Sequence, residues 1–245
     1  EEVLPEFRQF SDSFNQMLER LDEGFTAQRQ FTGNAAHELR TPLALMQAQV
    51  ELFSAEHPDV LPETADFLRL LREQTERMTQ MTRTLLEMCG LQAVPCTDHI
   101  ELGPMIDEIF ADLAPLAEKN NVMLEREGDG AMTGSDTLIY RLLFNLTENA
   151  IKYNRPGGSV RLSVTPEPEK LLIRVSDTGP GIPERFQRSI FQPFFRVDKS
   201  RSREYGGVGL GLSLVWEIVK LHGGTVCVEN SSEAGTTVAV SLPLR

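Results

Sequence analysis

Residues 138–153 read LIYRLLFNLTENAIKY. Leu142, Leu146 and Ala150 recur at helical spacing, which predicts an amphipathic helix over residues 138–153. Beside that apolar stripe runs a polar one, made of Asn145, Asn149, Lys152 and Tyr153. A polar stripe that borders a hydrophobic core is more typical of residues that line a ligand-binding site than of a solvent-exposed helix face.

The residue types on this stripe fit a nucleotide. The neutral side-chain oxygen of Asn149 can bind Mg²⁺ without a cluster of protein carboxylates. Lys152 offers a point charge to phosphate, and Tyr153 offers a ring against which a base can lie.

Around this helix the sequence alternates between helical and strand patterns. Further helices are predicted over 105–118 and 212–221, and the predicted strands are 122–125, 159–165, 171–176, 225–228 and 237–242. Helices combined with largely antiparallel strands predict a two-layer α/β sandwich.

The stretch Ser176-Asp177-Thr178-Gly179-Pro180-Gly181-Ile182 follows the strand 171–176. Glycines let a backbone approach a ligand closely, and Asp177 can accept a hydrogen bond from an exocyclic amine, which favours adenine over guanine. Asp-Thr-Gly also occurs in aspartic proteases, where two copies share a proton. This chain has one copy, which disfavours that interpretation.

A phenylalanine-rich segment, 191–196, leads to a glycine-rich segment, 206–212. The region between Glu184 and Glu204 carries a net charge of +3, in a chain whose formal net charge is −12. A basic segment that ends in glycines at the start of a helix is typical of a lid over phosphates. No glycine-lysine pair exists, so this is not a Walker loop.

The first ninety residues are predicted to be almost entirely helical. Seams at coiled-coil spacing are formed by Phe10, Phe14, Met17 and Leu21, by Leu39, Leu43, Met46, Val50 and Phe53, and by Leu68, Leu71, Thr75, Met78, Thr82 and Leu85. Prolines break the pattern over residues 57–62. Because a lone helical hairpin buries such narrow stripes poorly, we expect a homodimer in which two hairpins form a four-helix bundle.

The first helix contains Phe31-Thr32-Gly33-Asn34-Ala35-Ala36-His37-Glu38-Leu39-Arg40-Thr41-Pro42-Leu43. His37 lies off the apolar seam and is predicted to face solvent, with Thr41 one turn along on the same face. Pro42 is expected to bend the helix just beyond His37. An exposed imidazole beside the Glu38 carboxylate is a candidate nucleophile with its own base.

Charge and composition exclude several classes. Residues 1–140 carry a net charge of −16 and residues 141–245 a net charge of +4. The acidic part argues against a protein that coats nucleic acid, whereas the last part can bind an anion. No uncharged apolar run is long enough to span a bilayer, and no signal peptide is visible. Zinc ligation by Cys89, Cys96 and His99 lacks a fourth partner at finger spacing, which favours free thiols.

In combination and order, these motifs resemble the cytoplasmic catalytic core of a two-component sensor histidine kinase. Residues 37–42 match the phospho-acceptor box of that family, and 145–153 are similar to its N box. Residues 177–181, 191–196 and 207–211 resemble its first glycine box, its phenylalanine box and its second glycine box.

The resemblance implies a helical hairpin followed by an ATP-binding α/β sandwich of the GHKL (Bergerat) type. The implied domains are residues 1–30 as a relay helix at the end of a HAMP linker, 31–92 as the dimerisation and phosphotransfer hairpin, and 97–245 as the catalytic domain. His37 would receive the phosphoryl group, with Glu38 as base and Thr41 in a phosphatase role. The implied ATP-binding residues are Asn145, Asn149 (which would hold Mg²⁺), Lys152, Tyr153, Asp177, Gly179, Gly181, Arg196, Gly207, Gly209, Leu210 and Gly211.

The implied partners are a second copy of the chain and a cognate response regulator, with no nucleic acid. The chain opens on Glu1, which suggests an excised fragment, and the resemblance implies that this fragment is the soluble cytoplasmic portion of a bacterial membrane protein whose spans lie elsewhere. Two alternatives stay open. A gyrase-like ATPase of the same superfamily would need a glutamate base where Asn145 stands, and a dimeric scaffold would not need intact nucleotide motifs.

Overall fold

The computed structural model of this chain describes residues 5–91, 94–197 and 209–244, with only the backbone given for residues 5–16 and 18–31. Two compact units make up the chain, Glu1–Cys89 and Gly90–Arg245. The predicted boundary between a relay helix and the hairpin, at residues 30 and 31, falls inside one continuous helix and stays a prediction.

The first unit consists of helix α1, Pro5–Glu56, and helix α2, Pro62–Gly90. A Cβ on Gly33 would lie 3.6 Å from Cys89 Cβ, so the later part of α1 runs alongside α2 as a hairpin. The Leu61 carbonyl accepts the Thr64 and Ala65 N–H groups and starts α2. The predicted helical hairpin and its break at 57–62 are therefore confirmed.

The seam residues of this unit divide into buried and exposed sets. Leu43 is buried, whereas Leu39, Met46 and Phe53 are 47%, 53% and 41% exposed. On α2 the buried seam position Thr75 donates its hydroxyl to the Leu71 carbonyl at 2.8 Å, which satisfies it within the helix. Residues 39, 46 and 53 are seven apart, so the exposed side chains form a stripe along α1.

The second unit alternates strands and helices. Its elements are β1 Asp98–Glu101, α3 Leu102–Asn120, β2 Met123–Gly128, β3 Ala131–Gly134, α4 Asp136–Lys152, β4 Ser159–Pro166, β5 Lys170–Asp177, α5 Gly211–Leu221, β6 Thr225–Ser232 and β7 Gly235–Pro243. Short 3-10 turns at Glu184–Phe186 and Ser189–Phe191 follow β5. The sequence did not predict β1 and β3, because a four-residue strand holds too few residues for a period-two pattern.

The five long strands form one sheet in the order β2-β4-β5-β7-β6, in which β2 and β4 are parallel and all other neighbours antiparallel. Strands β1 and β3 form a separate antiparallel pair. Alternate residues of β4 and β5 are buried against the helices: Val160, Leu162, Val164, Leu171, Ile173 and Val175. The intervening residues lie on the other face, where Arg161 pairs with Glu125 at 2.8 Å. The unit is the predicted two-layer α/β sandwich.

Candidate functional site

Helix α4 carries the polar stripe. Leu142, Leu146 and Ala150 are buried, and beside them Asn145, Asn149 and Lys152 are half-buried, with Tyr153 46% exposed at the helix end. Asn145 Nδ2 donates to the Arg141 carbonyl at 2.7 Å, which orients the amide. Lys152 Nζ lies 2.7 Å from the Glu148 carboxylate.

The first turn of α4 is held by two side chains from distant elements. The Ser135 N–H donates to Nε2 of buried His222 at 3.1 Å, and His222 Nδ1 lies 2.8 Å from the Ile218 carbonyl. Because Nε2 accepts, the ring is neutral with its proton on Nδ1. The Asp136 N–H donates to the Asp98 carboxylate at 3.0 Å. Strand β1 and helix α5 thereby fix where α4 begins.

Asp177 ends β5 next to the far end of α4. Its Oδ1 accepts two backbone hydrogen bonds, from the Gly179 N–H at 2.7 Å and from the Thr236 N–H at 3.2 Å, and Oδ2 receives neither. Burial raises the pKa of the Asp177 carboxyl, while these two N–H groups and the charge of Arg155 act to lower it. The carboxylate is thus oriented, with one oxygen left for another donor.

Two glycines allow the Asp177 loop to pack against neighbouring backbone. A Cβ on Gly179 would lie 2.6 Å from the Tyr153 carbonyl oxygen, so this residue brings the loop onto the end of α4. Gly181 has φ +78°, and a Cβ there would lie 2.1 Å from the Ser232 carbonyl oxygen. Both positions require glycine because the protein's own backbone approaches them.

The phenylalanine-rich segment contacts the described end of the glycine-rich segment, which in turn approaches α4. The Phe194 N–H donates to the Gly209 carbonyl at 2.8 Å, and Gly209 adopts φ +79°. Leu210 is buried, and a Cβ on Gly211, the first residue of α5, would lie 2.9 Å from Asn145 Oδ1. Arg196 is half-buried. Gly207 lies outside the described residues.

Arg155 is a residue of this site that the sequence analysis missed. Its Nη2 donates to the Gly179 carbonyl at 3.0 Å and to the Glu233 carbonyl at 2.7 Å, and its Nε donates to the Thr178 carbonyl. No periodic pattern contains it, since it lies in the loop after α4. A signal existed only in its position beside Asn154 and Pro156, which mark a turn.

The predicted acceptor residues all lie on α1. His37, Glu38 and Thr41 are exposed, as predicted for the histidine, and Pro42 lies within the helix. On the same turns Ala36 and Leu43 are buried. An exposed imidazole with a carboxylate and a hydroxyl on adjacent turns can take up and release a group brought to it from solvent.

Metal-binding side chains do not cluster within residues 5–91, 94–197 and 209–244, where no group of three or more His, Cys, Asp or Glu could hold a metal ion. Cys89, Cys96 and Cys227 form no disulfide. None of the helices in the described part of the chain has the length and apolarity to cross a membrane.

Comparison with protein families matches both units. The family described as "His Kinase A (phospho-acceptor) domain" matches residues 27–89. The family described as "Histidine kinase-, DNA gyrase B-, and HSP90-like ATPase" matches residues 134–245. Together these matches cover the hairpin and most of the α/β unit.

Individual proteins show the same combination. Sensor histidine kinase RppB of Synechocystis sp. is 33% identical over 91% of this chain and 50% of its own length. Sensor protein CutS of Streptomyces coelicolor is 32% identical over 98% of this chain and 58% of its own. The chain thus spans about half the length of these curated relatives. The crystal structure of full-length ShkA in complex with AMPPNP shares the fold, with a TM-score of 0.70 at 20% identity over 87% of this chain and 45% of that one.

Proposed function

Because this chain belongs to the two-component sensor histidine kinases, we propose that it transfers the γ-phosphoryl group of ATP to His37 and then to an aspartate of a response regulator. One observation carries the proposal. The polar stripe of α4, the Asp177 loop and the glycine-rich start of α5 converge, since Gly179 contacts Tyr153 and Gly211 contacts Asn145. A site with phosphate-binding chemistry at one end and an acceptor for an amine at the other suits ATP.

Asp177 is the proposed reader of adenine. Its Oδ1 is occupied by two backbone N–H groups, so Oδ2 can accept from the exocyclic amine of the base. A purine with an oxygen at that position would face the carboxylate with an acceptor, which leaves both groups without a partner. Tyr153, which is partly exposed beside this loop, offers its ring to the base.

The phosphates would lie at the other end of the site. The N–H groups in the first turn of α5 have no acceptor within the helix and attract anions, and Gly211 lets the start of this helix lie close to the Asn145 amide. Lys152, paired with Glu148 at 2.7 Å, would exchange that partner for phosphate. Arg196, Gly207, Gly209 and Leu210 complete the proposed phosphate-binding segment.

Asn149 is the proposed magnesium ligand. It is half-buried on α4 and close to Gly211, where a Cβ would lie 3.7 Å from its Nδ2. One amide oxygen together with phosphate oxygens and water fits Mg²⁺, which keeps much of its hydration shell. Bound there, the ion would neutralise charge on the phosphate oxygens.

His37 is the proposed nucleophile. Its ring nitrogen would attack the γ-phosphorus, so that a P–N bond forms, the bond from phosphorus to the bridging β–γ oxygen breaks and ADP leaves. Glu38 would accept the imidazole proton. An aspartate of the regulator would then take the phosphoryl group, and the Thr41 hydroxyl, one turn from His37, would orient the water that hydrolyses the aspartyl phosphate.

The homodimer and the cellular location belong to this proposal. The exposed apolar stripe of α1 would be covered by a second hairpin in a four-helix bundle. We propose that the chain is the cytoplasmic portion of a membrane-bound parent, as its resemblance to sensor kinases implies, and it spans about half the length of the named sensor proteins.

A gyrase-like ATPase is disfavoured by the state of two residues. Asn145 cannot take a proton from water, and its amide is already bonded to the Arg141 carbonyl at 2.7 Å. Glu148, the acidic residue nearest in sequence, is paired with Lys152.

Labelling with γ-labelled Mg-ATP tests the proposal. The intact chain should gain acid-labile, alkali-stable label, and His37→Gln should lose it. His57→Gln is the matched control, since His57 is also an exposed hairpin histidine, stacked on Phe53 at 4.4 Å between ring centroids. Label that persists in His37→Gln contradicts the acceptor assignment, and release of phosphate without labelled protein favours the ATPase.

A further inference from the structure

We infer that Arg155 is a positioning residue for adenine recognition, which clamps together the two loops that orient Asp177. This inference rests on the proposed function, because it assigns Arg155 a part in selecting the nucleotide. The side-chain hydrogen bonds of Arg155 go to the loops around Asp177, so its proposed part concerns recognition of the base.

The clamp joins two segments that are far apart in sequence. The Arg155 guanidinium donates to the carbonyls of Thr178 and Gly179 in the loop after β5, and to the Glu233 carbonyl, 78 residues away, in the turn between β6 and β7. One planar side chain therefore fixes the distance between these loops.

Each clamped segment supplies one of the two donors to Asp177. The Gly179 N–H donates to Oδ1 at 2.7 Å, and Thr236, three residues beyond Glu233, donates to the same oxygen at 3.2 Å. If the loops separate, Oδ1 loses one donor and the carboxylate can rotate. Oδ2 would then no longer be held where the amine of the base meets it.

The backbone at Arg155 is itself held in place by hydrogen bonds. Asn154 Oδ1 accepts the Arg155 N–H at 2.9 Å and the Thr178 hydroxyl at 3.0 Å, while Asn154 Nδ2 donates to the Ser159 carbonyl at 3.0 Å. Pro156 follows and fixes its own φ. The backbone from which the guanidinium extends is thus fixed, and the entropy lost when the loops are bound is that of the side chain alone.

Arginine suits this task better than lysine. The guanidinium has five N–H donors in a planar fork, which lets it reach three carbonyls at once, whereas an ammonium is a single compact centre. The positive charge also favours the ionised carboxylate, because Arg155 lowers the pKa of Asp177 against the effect of burial. A lysine would keep the charge and lose most of the clamp.

Calorimetric binding of Mg-ATP, together with the rate of His37 labelling, tests the inference. We expect Arg155→Ala to weaken ATP binding and raise KM about tenfold, with kcat for labelling changed less than twofold. Arg155→Lys should recover only part of the affinity. Arg126→Ala is the matched control, since Arg126 also bonds a distant element, Asp107 at 3.0 Å, and should leave binding unchanged.

A double-mutant cycle separates positioning from general stabilisation. In an Asp177→Asn background, and with inosine triphosphate in place of ATP, the further effect of Arg155→Ala should shrink to less than twofold. The inference would be overturned if Arg155→Ala lowered the affinity equally in both backgrounds, lowered it equally for both nucleotides, or left the affinity for ATP unchanged.

The two hypotheses fail in different ways. If the unmodified chain binds Mg-ATP but never labels His37, the proposed phosphotransfer is wrong and the binding cycle still decides the part of Arg155. If the unmodified chain does not bind Mg-ATP, both are overturned.

Discussion

The two functional regions of this chain are built on opposite principles. In the α/β unit, Asp177 and the first turn of α4 are held by hydrogen bonds from segments 59 and 87 residues away. In the hairpin, the candidate acceptor residues lie within five positions of one helix and are exposed. The proposed nucleotide site is preorganised by distant contacts, whereas the proposed acceptor site is local and exposed to solvent.

The largest effect should come from the preorganised region. Asn149→Ala removes the proposed magnesium ligand, and we expect the rate of His37 labelling to fall on the order of a hundredfold because phosphate charge is no longer neutralised. Asn120→Ala removes an asparagine of the same kind, bonded to the Leu116 carbonyl at 2.8 Å on α3, and should change little. Equal rates for the two variants would contradict the assignment of Asn149.

The open region should respond through assembly. Met46→Glu places a charge in the exposed α1 stripe, and the dimer dissociation constant should rise at least tenfold because a buried thioether would become a buried carboxylate. Sedimentation velocity over a concentration series measures this, with Ala48→Glu, at an exposed position on the opposite side of the helix, as control. An unchanged dimer, or no dimer in the unmodified chain, would exclude this stripe as the interface.

A moderate effect on stability should follow when the hydrogen bond that holds the start of α4 is removed. His222→Ala leaves the Ser135 N–H without its buried acceptor, which costs about 1–3 kcal/mol of unfolding free energy in the α/β unit. Chemical denaturation followed by Trp216 fluorescence, a probe within α5, measures the loss. The hairpin should keep its helical circular dichroism signal; a loss there as well would mean that the two units do not respond separately.

The smallest effect concerns the loss of folding stability that the buried Asp177 carboxylate causes at neutral pH. Burial raises its pKa, so the protonated form is favoured on folding, and the stability this gives at low pH is lost as the pH rises through the raised pKa. Asp177→Asn should therefore raise the melting temperature of the nucleotide-free chain by about 1–2 °C at pH 7, with no gain at pH 3. A gain of equal size at both pH values would contradict this origin.

The same contrast explains what sequence could and could not predict. Helix α4 and its polar stripe follow from spacing within seventeen residues, and His37 follows from its offset from the apolar seam. The contacts of Arg155, His222 and Asp98 link residues that share no periodic pattern, so local spacing contains no signal for them. The strands β1 and β3 were missed for a related reason, since they are stabilised by pairing with each other.

Glycine functions were predicted in kind but not in detail. The sequence suggested that Gly179 and Gly181 allow a ligand to approach the backbone. In the structure they allow the loop to approach the Tyr153 and Ser232 carbonyls. Which backbone lies against each glycine depends on how α4 and the strands pack around the loop. The spacing of residues along the sequence does not specify that packing.

Mass spectrometry at alkaline pH after incubation with Mg-ATP locates the phosphoryl group and tests the proposed phosphotransfer most directly. We predict one phosphoryl group on His37 and none on His57, His99 or His222. Phosphorylation at another residue, or hydrolysis of ATP with His37 unmodified, would contradict it.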